Sequence, residues 1–204
     1  MMHPHTQLGF VSEKIGNGVF ATQFIPKGTI IWVLDELDQK LNEFYINSLD
    51  LLRQEKIRKY SWRDGEGKYI LPWDIAQFVN HSFKPNCMIT PYEFEIAIKD
   101  IYPGEELTDD YAFCNEDEPF DCLPEEGIAR TKVMPDDLLH FHPEWDLQLA
   151  EAMLYVKKVK QPLQHLISKK YWDKVNAIAE GKAAVDSVLT CYYDRSKQLK
   201  RVSC

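Results

Sequence analysis

The chain has 204 residues, 45% of them apolar and 12% aromatic, with a formal net charge of −8. That length holds one domain, or one domain with an appendage, and folding at this size buries ~70% of the unfolded chain's surface. The longest apolar run, Ile30 to Leu34, is far short of the ~20 residues of a membrane span. The acidic balance argues against direct nucleic-acid binding.

The first residues, Met1-Met2-His3-Pro4-His5-Thr6, lack the charged and apolar regions of a signal peptide, so an intracellular protein is expected. The five cysteines (Cys87, Cys114, Cys122, Cys191, Cys204) form no Cys-x-x-Cys pair, which argues against a disulfide framework and a zinc ribbon. Charge is segregated along the chain. Asp100 to Glu126 carries eleven acidic residues and no Lys or Arg, whereas Tyr155 to Cys204 carries eleven basic residues against four acidic ones. Two readings follow: solvated faces of opposite sign, or an acidic trough for a basic partner.

In chain order, residues 8–35 read as strands and turns. Gly16-Asn17-Gly18 is a turn signal, Val19 to Ile25 a strand, and Pro26-Lys27-Gly28 a turn into the β-branched and aromatic stretch Thr29 to Leu34. Residues 35–60 predict a helix, with Leu41, Phe44, Tyr45, Leu49 and Leu52 near a 3.6 period. A short strand follows at Lys68 to Leu71, then one helical turn from Asp74 to Val79 before Asn80-His81-Ser82. Cys87 to Thr90 and Glu93 to Ile98 read as paired strands, and Pro103-Gly104 as a turn into Glu105 to Tyr111. Residues 115–127 read as an acidic loop. From Pro143 the pattern is helical, with Trp145, Leu149, Met153 and Val156 on one face and Pro143 suited to a first turn. Pro162 is expected to open a second helix, and further helices are expected over Trp172 to Ala179 and Ala183 to Tyr193.

Gly16 to Ala21 fits G-x-G-x-x-A, but Pro26 and Gly28 would break the helix that a dinucleotide fingerprint requires. A tight turn, or a close backbone approach to a ligand, is the better reading. His140-x-His142 lacks a third ligand at zinc spacing. Two longer segments are more informative: Phe78-Val79-Asn80-His81-Ser82-Phe83-Lys84-Pro85-Asn86-Cys87, and Gly104-Glu105-Glu106-Leu107-Thr108-Asp109-Asp110-Tyr111. Taken singly each is a polar turn. With Gly16-x-Gly18, in this order and at these separations, the chain resembles the SET-domain protein lysine methyltransferases from about Gly9 to Phe113.

The resemblance implies an α+β, β-rich fold of several small curved sheets with a knot-like threaded segment, plus a C-terminal helical extension. It divides the chain into a SET domain (5–114), an acidic linker matching a degenerate post-SET tail (115–142) and the helical extension (143–204). It implies S-adenosylmethionine as methyl donor, with S-adenosylhomocysteine as product. Gly16, Asn17, Gly18, Val19, Phe20, Phe78, Asn80 and His81 match the cofactor segments, and Tyr111 matches the tyrosine at the methyl-transfer point. The implied partner is a protein with a basic, lysine-containing segment such as a histone-like tail. The rival reading is a SET-fold binding module with little or no turnover, and the helical tail offers a self-association surface.

Four departures from the family pattern carry expectations of their own. Gln77 stands where arginine is common, and Phe83 replaces the signature cysteine. Phe120-Asp121-Cys122-Leu123-Pro124 keeps one cysteine of the family's zinc tail, so no structural zinc is expected and the helical tail is expected to close the lysine channel. Asp109 stands where the family usually has Phe or Tyr. It belongs either to the substrate channel, where it would hold the incoming ammonium, or to the acidic surface.

Overall fold

The computed structural model describes residues 1–196; Cys204 and the end of the helical extension lie outside them. Three small sheets and a hairpin build the domain. β1 (Thr6–Ser12) and β2 (Gly16–Ala21) form an antiparallel pair around the Gly16 turn, where φ is +89° and glycine is the residue without a steric penalty. β3 (Ile30–Val33) is buried along its whole length. β4 (Gln39–Leu41) precedes two short helices, α1 (Glu43–Asn47) and α2 (Leu51–Tyr60), capped by the side chains of Asn42 and Asp50. β5 (Trp62–Arg63) and β6 (Tyr69–Leu71) complete a sheet in the order β4–β6–β5. A 3-10 turn (Ile75–Phe78) leads into β7 (Asn80–His81). β8 (Cys87–Ile89) and β9 (Phe94–Ala97) then pair with β3 in the order β3–β9–β8.

β10 (Glu106–Asp109) is the strand that gathers the site. It lies antiparallel to β2 and parallel to β7, with Thr108 opposite Asn80 and Asp109 opposite His81. Partners 28 residues apart (Thr108 and Asn80) and 88 apart (Leu107 and Val19) are therefore neighbours in one sheet, ordered β1–β2–β10–β7. After β10 a 3-10 turn (Tyr111–Cys114) is capped by Asp110, whose Oδ1 accepts the Ala112 N–H at 3.0 Å.

Apart from Glu95 of β9, the β3–β9–β8 sheet is apolar on both faces. Ile31, Trp32, Cys87 and Ala97 pack with Val19, Ala21, Ile25 and Leu107 of the β2–β10 region. Ile30, Val33, Met88, Phe94 and Ile96 pack with Trp145, Leu149, Met153, Val175 and Ile178 of the C-terminal region. A sheet buried on both faces shows continuous apolar runs without alternation, as β3 does. The predicted tail face is thus covered by the chain's own sheet. Polar ties reinforce it. Gln161 accepts from the Ile30 N–H at 2.9 Å and donates to the Gly28 carbonyl at 2.8 Å. The Tyr92 hydroxyl accepts from the Asp186 N–H at 2.8 Å.

Several expectations are corrected. The helix over 35–60 is two short helices preceded by a strand, and Phe44 (85% exposed) and Leu52 (64%) make no core face. The periodicity was present, but no partner element covers it. Residues 115–127 are not plain loop: they contain β11 (Phe120–Asp121), which pairs with β12 (Lys132–Val133), and α3 (Asp137–Met153) follows. α3 begins a turn and a half before Pro143, because Leu138 is buried and the Asp137 carboxylate accepts from Arg130 and from the Met134 N–H. Pro162 opens only a 3-10 turn (Gln164–Leu166). α4 (Lys169–Ala179) forms as expected, and Ala183 to Tyr193 contains only a 3-10 turn (Val188–Cys191).

Candidate functional site

Asn80 is the organiser of the glycine turn. Its Nδ2 donates to the Asn17 carbonyl at 3.0 Å and to Glu106 Oε1 at 2.7 Å. Gly18 lies under this contact: a Cβ there would approach Val11 Cγ2 at 2.7 Å and Asn80 Nδ2 at 2.9 Å, so the position has no room for a side chain. Asn86 does the same for β10, accepting from the Thr108 N–H at 2.9 Å and donating to the Glu106 carbonyl at 2.8 Å. These bonds satisfy backbone groups that the two-residue strand β7 leaves free.

His81 is held neutral, its pKa pushed down to about 4 by burial. Its Nδ1 accepts the Tyr111 N–H at 3.1 Å, which leaves Nε2 as the protonated nitrogen, buried and without a protein partner among the described residues. Tyr111 donates its hydroxyl to the Val79 carbonyl at 2.9 Å, and burial pushes its pKa well above the usual phenol range. It is therefore a neutral hydroxyl at physiological pH. Its ring lies 5.4 Å from His81 and 5.9 Å from Phe120, centroid to centroid.

Two cavities share Tyr111 and Phe120 in their walls. The larger, about 720 Å³, is lined by Asn80, His81, Ser82, Glu106, Thr108, Ile15 and the linker residues Cys122, Leu123 and Glu125. The other, about 500 Å³, is lined by Tyr60, Trp62, Val79, Ile89, Glu95, Asp109 and Cys114. The structure thus gathers Asn80, His81 and Tyr111 at one cavity and sets the Gly16–Gly18 turn behind Asn80. Three side chains fall elsewhere. Val19 is fully buried in the core, the Phe20 ring covers Gly9, and Phe78 packs on Tyr60 at 5.5 Å.

Asp109 does not turn outward. It is 6% exposed and lines the 500 Å³ cavity with Glu95, which is 5% exposed. Asp109 Oδ1 and Glu95 Oε2 have no hydrogen-bond partner among the described residues. Burial pushes both carboxyls up, and each charge near Asp109, from Glu95 and Asp110, pushes the same way. Sequence reading missed Glu95. The available signal was a carboxylate inside an apolar strand, Phe94-Glu95-Ile96-Ala97.

Among the described residues, the end of α2 and Phe120 of the linker hairpin close this cavity, and none of the helical tail does. Side-chain contacts fasten the linker. Glu125 accepts from the Phe83 N–H at 2.8 Å and from the Ser82 hydroxyl at 3.1 Å. Arg130 pairs with Asp110 at 2.5 Å and with Asp137, its guanidinium between the rings of Phe83 and Phe141. Phe83, at the position of the family's cysteine, is therefore part of this clamp. Among the described residues no group of three His, Cys, Asp or Glu side chains is placed to hold a metal ion. Much of the acidic stretch is also occupied within the fold: Asp117 pairs with Arg63 at 2.6 Å and Arg195 at 2.5 Å, and Asp121 with Lys132 at 2.9 Å.

Comparison with known proteins agrees with this geometry. The SET domain family model matches residues 16–112. The chain is also similar to the Mus musculus protein named Histone-lysine N-methyltransferase SETMAR, 29% identical over 140 residues, covering 56% of this chain and 45% of that protein. The chain thus matches less than half the length of that curated relative. With the β2–β10–β7 sheet carrying Gly18, Asn80 and His81, and Tyr111 following it, residues 16–112 are a SET domain.

Proposed function

We propose that the protein is a protein-lysine N-methyltransferase that takes its methyl group from S-adenosylmethionine, releasing S-adenosylhomocysteine. The observation that carries this reading is the pair of cavities with Tyr111 in both walls: one of ligand size with Asn80, His81 and Thr108 in its wall, one aromatic with an acidic floor. The larger cavity fits an adenosyl amino acid. It offers the unpartnered Nε2–H of His81, and it sits beside the backbone turn at Gly16–Gly18. Asn80, His81 and that turn would hold the methyl donor, which supplies an electrophilic methyl carried on a positively charged sulfur.

The remaining work falls to the chain's own residues. Lysine has a reference pKa of ~10.4, so about one in a thousand is neutral near pH 7.4, and the attacking amine must first lose a proton. Tyr60, Trp62, Phe120 and Tyr111 give the second cavity aromatic walls that suit an alkylammonium chain. The neutral Tyr111 hydroxyl orients the amine; with its pKa raised it does not serve as the base. Positioning of amine and methyl in line is the main catalytic contribution. The SETMAR protein's name, as a histone-lysine methyltransferase, supports a basic, lysine-containing segment as acceptor here. The exposed carboxylates Glu118 and Glu126 favour the same sign of partner.

Calorimetry tests the donor site. S-adenosylhomocysteine is expected to bind the purified protein after chelator treatment, and Gly18→Val is expected to abolish that heat, because a side chain there displaces Asn80 and Glu106. No heat with either the donor or its product would contradict the reading.

A further inference from the structure

Glu95 and Asp109 are buried, lie on different strands, and line one cavity with Tyr111. Neither has a salt bridge among the described residues, and each has an oxygen without a hydrogen-bond partner. Leaving two carboxylates unpaired in an apolar interior is expensive, and such groups persist where a ligand supplies the missing partner. We propose that Glu95 and Asp109 act together as the acceptor's receptor: they capture the incoming amine as an ammonium ion and take its proton before methyl transfer. This rests on the methyltransferase reading above for the transfer itself, but the cation site stands on geometry alone.

The surroundings define what such a pair can do. Toward Glu95 the charged neighbours are Asp74 and the chain's amino group. Around Asp109 lie Asp110, Tyr111 and the buried thiols of Cys87 and Cys114, all neutral or acidic. Arg58 and Lys59 stand in the cavity wall. Arg58 is already paired with Glu43 at 2.7 Å, and Lys59 lies over the Tyr60 ring. The amino group is already held by Asp35 at 3.1 Å and by the Val33 carbonyl, so the cation the pair lacks is one that enters from outside.

An ordinary aspartate is a poor base for an ammonium ion, since ~6 pKa units separate them, a factor of about a million. Burial raises the proton affinity of Glu95 and Asp109, the Glu95 charge raises that of Asp109 further, and the gap narrows. A positively charged sulfur nearby lowers the ammonium's own pKa and narrows it further. In the step proposed, an N–H bond of the ammonium breaks and an O–H bond forms on the carboxylate pair. The lone pair left on nitrogen then forms the new N–C bond, while the S–C bond breaks with its electrons going to sulfur. The product is again a cation, and the proton on the pair leaves to water.

The test uses the full-length protein, n-butylammonium chloride as probe and n-butanol as its neutral analogue. Calorimetric titrations are run with S-adenosylhomocysteine present, from pH 6 to pH 9, on wild type, Glu95→Gln, Asp109→Asn and the double variant. Butylammonium is expected to bind, butanol to bind at least ~10-fold more weakly, and ammonium affinity to rise with pH as the pair ionises. The double variant is expected to lose ~10–100-fold in ammonium affinity, the worth of hydrogen bonds to charged groups. In methyl transfer to a histone mixture, its rate is expected to climb about tenfold per pH unit toward pH 10, tracking the free amine, where the wild-type rate levels off earlier.

Equal affinity for ammonium and alcohol in the wild type would overturn the proposal whether or not any variant folds. So would unchanged ammonium affinity in the double variant, or identical pH–rate profiles. The heat of S-adenosylhomocysteine alone separates the two readings. Product heat without ammonium binding overturns the carboxylate pair and leaves the methyltransferase standing. Ammonium binding without product heat does the reverse.

Discussion

Tyr111→Phe is expected to lower methyl transfer by roughly 100- to 1000-fold, the usual loss when one positioned donor is removed from a reacting centre. Affinity for S-adenosylhomocysteine should change little. The ring between His81 and Phe120 remains, and His81 keeps its bond from the Tyr111 N–H, which the substitution does not touch. What is lost is the hydroxyl, now donated to the Val79 carbonyl. That single bond is worth ~1 kcal/mol to folding, so the variant should fold normally. Steady-state kinetics and product calorimetry on the same preparation check this: kcat and kcat/KM should fall together. Full activity would remove Tyr111 from the reacting centre.

Ending the chain before Asp137 is expected to destroy soluble, monomeric protein. The cut uncovers Ile30, Val33, Phe94 and Ile96, which α3 and α4 now bury, and each large side chain gains ~1.5–3 kcal/mol on burial. It also removes Asp137, so that Arg130 loses one of its two carboxylates, and Gln161, which satisfies the Ile30 N–H. A milder version is Leu149→Ala. Leu149 is fully buried, and truncation there should cost ~2–5 kcal/mol in urea unfolding. A truncated chain that stays monomeric and binds S-adenosylhomocysteine with wild-type affinity would show the tail to be an independent unit.

The parts of the site legible in the sequence are those where backbone geometry dictates residue type. Gly16 has a positive φ and Gly18 has no space for a Cβ, so the glycine pair can be read directly. Asn80 and Asn86 serve as amide connectors between short strands, a role few residue types fill, and they stand in the segment that carries the family resemblance. The β8 and β9 strands were legible from their apolar content. What failed was periodicity without knowledge of a partner: α2 has no buried residue, although Leu51, Leu52 and Ile57 sit along it. A proline rule puts the start of α3 at Pro143, whereas the pairing of Asp137 with Arg130, 7 residues earlier, decides it. Glu95 could not be assigned to a site because its neighbour Asp109 is 14 residues away and meets it only through the packing of two sheets.

The same packing explains why Asp109 stood open between two readings. In sequence it lies in a run of eleven acidic residues, most of which face water or pair with Arg63, Arg130, Lys132 and Arg195. Strand alternation separates it from them. Along β10, Leu107 and Asp109 point inward while Glu106 and Thr108 stay half exposed. The buried position gives the acid its raised proton affinity, and with it a chemistry that surface carboxylates lack.

The central claim is transfer of a methyl group from S-adenosylmethionine to a lysine side chain, and one measurement addresses it directly. The purified protein is incubated with methyl-labelled S-adenosylmethionine and a histone mixture or whole lysate, and labelled bands are digested for mass spectrometry. The account predicts label on lysine side chains of a basic segment, absent with Tyr111→Phe and with Gly18→Val. Label on another residue type, or no label from protein that binds S-adenosylhomocysteine, would contradict it.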